Sequence, residues 1–242
     1  MMRNWSAAVL CLLGACAAAF AGTGTCPPVG NADSHPTFDA STLKEGRFTY
    51  RTTLKGESLG ETVIEIRRVG TQFLISMNAA EIEQGWKAKV EKSFAPVSAS
   101  LSMRGKKGPY AMTLEYVGKN ITGEEREAGV TRAVNVTAQG LVIDQRVDWA
   151  SMMAATASSG RSIAMRVFDP STGLSDMLGK IGGIQPMRGA WGDVPALRLD
   201  YTICKREHVE EYTVYATNEA PRYMLREDMP NGLASELIRI EP

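Results

Sequence analysis

Residues 97–117 read VSASLSMRGKKGPYAMTLEYV. Two alternating runs flank a Gly-rich turn. Val97, Ala99, Leu101 and Met103 alternate with three serines and Arg104. After Gly105 and Gly108, Tyr110, Met112, Leu114 and Tyr116 alternate with Ala111, Thr113, Glu115 and Val117. A period of two sends successive side chains to opposite faces of a strand. The stretch therefore reads as a hairpin with one apolar face and one wet face.

The same period extends in both directions. Upstream lie Phe48, Tyr50, Thr52 and Leu54, then Ile64 and Ile66, then Phe73, Ile75 and Met77, then Trp86, Ala88 and Val90. Downstream lie Ile163, Met165 and Val167, then Leu197, Leu199, Tyr201 and Ile203. Tyr212, Val214 and Ala216, then Tyr223 and Leu225, then residues 233–240 complete the series. Turn residues such as Gly56, Gly70, Gly85 and Gly118 separate the runs. The pattern predicts about eleven or twelve antiparallel strands in a long meander. One interruption stands mid-chain. Asp148 is placed to cap a helix over 149–158, with Trp149, Met152, Met153 and Thr156 on one stripe and Gly160 as its stop. The Gly-rich stretch 169–184 reads as a loop with one short helical turn, and no Lys-Ser/Thr ending makes residues 179–183 a phosphate loop. A sheet this wide must coil to bury its apolar face. The expected fold is mainly β, an open half-barrel or β-spiral around one central amphipathic helix.

The first 21 residues have the layout of a secretory leader: basic Arg3, an apolar run from Trp5, and small residues at the end. Ala19-Phe20-Ala21 offers a cut that releases a periplasmic protein; Leu13-Gly14-Ala15-Cys16 offers a lipobox, with Cys16 lipidated and the protein anchored in the outer membrane. The Ala21 cut is preferred because the tail after Cys16 stays apolar where a lipoprotein has a polar linker. The run is shorter than the ~20 residues a spanning helix needs, and no later stretch is apolar enough to span. Residues 22–41 read as a flexible tether and 42–242 as one domain. Lys+Arg and Asp+Glu number 27 each. That balance gives no bias toward nucleic acid. Arg104, Lys106 and Lys107 read as a solvated hairpin tip. Under the Ala21 cut two cysteines remain, Cys26 and Cys204, an even pair that invites a disulfide in an exported chain. Closing so long a loop contributes on the order of 4 kcal/mol in the chain-entropy model.

Catalytic patterns are sparse. His35 and His208 read as solvated. There is no Gly-x-Ser-x-Gly elbow and no zinc-binding His-Glu-x-x-His. The expectation is no cofactor, no metal and no enzymatic activity; a glycosidase pair among the scattered carboxylates is the minor alternative. Asn120 and Asn135 open glycosylation triplets that matter only in a eukaryotic host. Methionine is the compositional oddity, 12 in all. Met77, Met103, Met112, Met152, Met153 and Met165 fall on inner rows and, with Trp149, are the candidate lining of a cavity for a lipid, lipoprotein or peptide. The same residues also suit a filled core, which leaves a scaffolding module with an envelope protein partner.

A series of short pieces carries a resemblance: Gly46-Arg47-Phe48-Thr49-Tyr50, Gly60-Glu61, Phe94-Ala95-Pro96 and Asp148 before the helix. It continues with Val167-Phe168-Asp169, Leu197-Arg198-Leu199-Asp200-Tyr201, Pro221-Arg222-Tyr223 and Asn231-Gly232-Leu233. The series resembles bacterial envelope families built on a β-spiral or half-barrel around a helix. One is a domain of unknown function, another the cell-envelope-integrity β-spiral family; in architecture both are similar to periplasmic lipoprotein carriers. The resemblance implies a non-enzymatic envelope role in binding or integrity. It transfers no catalytic residue, and the integrity family's disulfide does not map here, because Cys26 precedes the sheet.

Overall fold

The computed structural model describes residues 26–28, 30, 32–105, 108–206 and 208–241. The expected leader, Cys16, Lys106 and Lys107 lie outside the described residues. Among the described residues fifteen strands form one sheet. They are β1 (Gly46–Leu54), β2 (Glu57–Val69), β3 (Gln72–Ala79), β4 (Gln84–Val90), β5 (Pro96–Gly105), β6 (Gly108–Val117), β7 (Asn120–Glu127) and β8 (Val130–Thr137). After β9 (Val142–Asp144) come the helix α1 (Asp148–Ala154) and β10 (Ser162–Asp169). β11 (Gly173–Gly189), β12 (Gly192–Cys204), β13 (Val209–Thr217), β14 (Met224–Met229) and β15 (Leu233–Glu241) complete the sheet.

The spatial order is β8-β7-β6-β5-β4-β3-β2-β1-β15-β14-β13-β12-β11-β10-β9. The first and last strands pair at the centre, and each half is a meander running outward. All neighbours are antiparallel except β9 and β10, which are parallel. Parallel neighbours cannot be joined by a tight turn; they need a crossover. The 3-10 turn Gln145–Val147 and α1 are that crossover. Strand β9, the outermost on its side, also packs against β5, so the sheet curls back over its own other half.

The inner rows follow the expected alternation and stay in register across many strands. One row runs Phe48, Ile64, Met77, Trp86, Leu101 and Met112; the next runs Ile66, Ile75, Ala88, Ala99 and Leu114. All of these residues are buried. The second row continues through Gly123 to Val134. A Cβ on Gly123 would lie 2.0 Å from Thr113 O, so only glycine permits this approach.

Fifteen strands stand where eleven or twelve antiparallel ones are expected, and β9 pairs parallel; three further expectations change. The helix ends at Ala154, not Ser158. Ala155 is extended and bridges Phe38, and Thr156 N–H donates to Thr37 O at 3.0 Å. Tertiary pairing outweighs the local helix preference of the alanines. Asp148 is the first helical residue and not the cap, and all seven helix residues are buried, so α1 has no wet face. Second, the Gly-rich stretch is most of β11. Its glycines serve a bulge, with a register shift between Ile181 and Ile184, and a close approach: a Cβ on Gly179 would meet Met152 Sδ at 2.6 Å. Third, the expected tether is docked from Asp33 onward. Asp33 bridges Ile163, Phe38 is buried, and Asp39 N–H donates to Ala154 O at 2.9 Å. The disulfide forms, Cys26 to Cys204, with Cα atoms 5.7 Å apart.

Met152 and Gly179 make a testable pair. Met152→Ala should cost about 2–5 kcal/mol, and Gly179→Ala about 1–3 kcal/mol through overpacking. In the double variant the second cost should largely vanish, because the new methyl enters the space that Met152 leaves. Urea unfolding of the four proteins of this cycle measures the coupling.

Candidate functional site

The seven residues expected to line a cavity are brought into one apolar core, each between 0% and 9% exposed. Met77 and Met112 share the row described above. Met103 stands opposite Tyr110, and Met165 opposite Met177. Met152 caps Gly179, and Trp149 donates its Nε1–H to Arg146 O at 3.1 Å. Trp86, between Met77 and Leu101, is also buried, and its indole N–H has no acceptor among the described residues.

Two polar clusters lie inside this apolar shell, at the start of α1. The first is centred on Arg146, 2% exposed at its side chain. Its Nε and Nη2 donate to the two oxygens of Asp144, Nη2 at 2.8 Å, and Nη1 donates to Asp169 at 2.8 Å. Tyr116 on β6 donates to Asp144 at 2.5 Å. Asp169 also accepts from Ser171 N–H at 2.9 Å. Burial by itself would lower the Arg146 guanidinium, but Asp144 and Asp169 outweigh it and hold it well above its ordinary value. Burial, with the Asp144 charge beside it, pushes Tyr116 far up. Four of the five donors of the fork have an identified acceptor, three at a carboxylate and one, at 3.4 Å, at Phe168 O. This is a clamp that ties β9 to β10 and β6.

The second cluster contains carboxylates that converge. Tyr201 on β12 places its hydroxyl 3.1 Å from Glu227 Oε1 and 3.4 Å from Asp148 Oδ1. Both acids are buried. Burial, reinforced by Glu227, holds Asp148 well above the usual carboxylate range. Burial pushes Glu227 up to about 7, against a lowering contribution from the Tyr201 hydrogen bond. A tyrosine hydroxyl has one proton to give. Tyr201 gives that proton to Glu227 at the shorter distance, while Asp148, held toward its neutral form by burial, accepts from Trp149 N–H at 2.6 Å. Tyr201 stacks on Tyr212, with ring centroids 4.6 Å apart, and Tyr212 donates to Glu210 at 2.8 Å. Glu210 pairs with Lys205 at 2.7 Å and with His208 at 2.9 Å. Its carboxyl is lowered even though burial opposes this, because Lys205, His208 and Tyr212 all favour the anion.

His208 is thus a partner of Glu210, with a side chain 20% exposed, and not the solvated residue expected. The signal for the second cluster was present in the sequence. Leu225 belongs to an apolar row, and the next residue of that row is Glu227. Asp148 reads in sequence only as a helix cap, because its place at the centre of the crossover is a tertiary fact. Two buried carboxylates on one phenol can store and exchange a proton. Among the described residues no group of three or more His, Cys, Asp or Glu is placed to hold a metal ion, and no helix is long and apolar enough to cross a membrane.

No protein-family model and no curated protein matches the chain. Two solved structures align over most of it. One, from Bacteroides fragilis NCTC 9343, is named as an exported protein with a YmcC-like fold; it is 10% identical, the alignment covers 85% of this chain and 100% of that chain, and the TM-score is 0.34. The other, from Parabacteroides distasonis ATCC 8503, is named as a lipoprotein; it is 9% identical over 84% of this chain and 99% of that chain, with a TM-score of 0.35.

The clusters give two tests. Arg146→Ala leaves two carboxylates buried without their cation and should cost about 3–5 kcal/mol in chemical denaturation. Glu227 has a folded pKa of about 7, above its ordinary 4.5. Its favourable contribution is therefore complete below pH ~4.5 and lost as the pH rises through ~7. Glu227→Gln should remove that slope, and at pH 8 it should be more stable than the parent by up to about 3 kcal/mol. Urea melts at pH 5 and 8 read the difference.

Proposed function

We propose that the chain is an exported, non-enzymatic module of the bacterial cell envelope, supporting envelope integrity through protein contacts made around a packed core. One observation carries this reading. The seven side chains that would line a ligand cavity are nearly inaccessible, whereas a groove wide enough for an acyl chain would leave them open to solvent. Export is supported by the leader-like start of the sequence and by the Cys26–Cys204 bridge, a bond that persists in oxidising compartments. The half-barrel or β-spiral shape is supported by the packing of β9 on β5, by Tyr116 reaching Asp144 across that gap, and by a helix buried on every side. The resemblance to envelope β-spiral families points the same way.

A second reading, an interior site for a hydrophobic ligand, is favoured by Trp86. Its buried indole N–H lacks an acceptor among the described residues, and an unpaired buried donor costs about 1–3 kcal/mol. The carbonyl of an acyl ester, entering between the methionines of that row, would satisfy it.

Native mass spectrometry on the mature protein, purified from its own envelope without detergent, separates the two. The packed-core reading expects the bare protein mass. A bound mass that organic extraction identifies as lipid would overturn it in favour of the interior site.

A further inference from the structure

The two outer edges of the sheet are treated in opposite ways. The β9 edge is three residues long, all buried, and packs against β5. The β8 edge is eight residues long and bears no β-partner on its outer side among the described residues. Unpaired edges invite strand addition, and proteins usually blunt them with proline, bulges, charge or a cover. Strand β8 reads VTRAVNVT. It has no proline, pairs with β7 without a register shift, and carries one charge, Arg132, which is turned to Glu125 on β7.

The backbone groups that face outward are identifiable. Ala138 N–H, one residue past β8, donates to Lys119 O at 2.8 Å. Along an antiparallel ladder the groups alternate in direction. Even residues of β8 therefore bond to β7, and Thr131, Ala133, Asn135 and Thr137 turn their N–H and C=O groups to the open edge. Side chains alternate as well. Val134 is buried on the inner row beside Val136, and the odd residues form an outer row of small side chains, all polar but Ala133 and exposed throughout.

The geometry points to a second copy of this chain as the occupant, paired antiparallel through β8. This rests on the reading that the module acts through protein contacts. A twofold axis at Val134 places Thr131 opposite Thr137 of the second copy and Ala133 opposite Asn135. All four outward residues then find their hydrogen-bond partners within the strand itself. Val134 meets its own counterpart in a close pair of the kind that does not exchange backbone bonds, the favourable arrangement for β-branched side chains. Arg132 falls opposite Val136, so no like charges meet. No other alignment about a twofold axis pairs all four outward residues inside the strand.

The test uses the mature, disulfide-intact protein in analytical ultracentrifugation. The parent should double its mass as concentration rises through the micromolar range. Ala133→Pro removes an outward N–H only and leaves the β7 ladder whole, as proline is tolerated at such edge positions. It should keep the circular dichroism of the parent and sediment as a monomer. Val134→Cys should form a covalent dimer under mild oxidation, because the pairing puts the two copies of this residue face to face; this readout stands even if the proline variant fails to fold. A parent that stays monomeric into the high micromolar range overturns the proposal. So does a dimer that survives in folded Ala133→Pro, a Val134→Cys protein that does not crosslink, or a monomeric parent whose β8 instead takes up a different protein. These outcomes are independent of a bound lipid mass, which judges the packed-core reading.

Discussion

The fold depends on holding a parallel strand pair at the end of an otherwise antiparallel sheet, and the buried Arg146 fork does that. Strand β9 makes only three register pairs with β10. Three residues of parallel ladder are a weak attachment. Arg146 compensates by binding Asp144 at the end of β9 and Asp169 at the end of β10 at once, with Tyr116 reaching in from β6. Ions buried this deeply lose their hydration, and only a full set of partners offsets the loss. Here three of the guanidinium N–H groups meet carboxylates and a fourth meets Phe168 O. The cluster is therefore less a source of net stability than a device that admits one arrangement of the crossover.

From that anchor the rest of the interior follows. The crossover carries α1 across the apolar face, where Met152 fills the space left by Gly179 and Ser151 hydrogen-bonds back to Asp148 O at 2.6 Å. The helix C-terminus then needs cover. The segment from Asp33 supplies it: Asp39 N–H binds Ala154 O, and Arg222 Nη1 donates to Met153 O at 2.8 Å. Helix ends leave carbonyls without intrahelical partners, and two of them are met here by groups far away in the chain. The chain before β1 is thus part of the domain's closure, and the Cys26–Cys204 bridge fastens its beginning to β12.

What was legible from sequence was what depends on local period. Residues 97–117 predict β5, β6 and the turn between them, and the inner rows of β1 to β6 carry the residues that alternation assigns to them. Elements set by distant partners were not legible. Strands β7 and β8 lack a strong apolar row because they extend beyond most of the core, and Glu124, Glu125 and Glu127 mask the alternation of β7. The glycines of β11 look like a loop in isolation; they make sense only with Met152 above one and a bulge at the others. The helix was found, but its end was not, since Ala155 follows Phe38, which precedes it by more than a hundred residues. The methionines that the pattern turns inward are buried. Their pattern could not separate a lined cavity from a filled core, because both need the same side chains on the same face.

The two polar clusters explain why a core so rich in flexible side chains can settle into one arrangement. Methionine adapts to many shapes, and a short apolar helix packed on methionine could rotate or slide at small cost. Arg146 and Asp148 are two residues apart and reach opposite ways: one toward β6, β9 and β10, the other toward Tyr201 on β12 and Glu227 on β14. A rotation of α1 would break one set as it strained the other, leaving buried polar groups unpaired. Directional bonds thus fix what the non-directional core leaves open. The second set is tuned by protonation, since Asp148 and Glu227 cannot both take the single proton of Tyr201. A neutral Asp148 keeps that end of the hub satisfied without burying a second charge. The seating of the helix on the C-terminal half of the sheet thus runs through Asp148, whose carboxyl burial and Glu227 hold above the usual range.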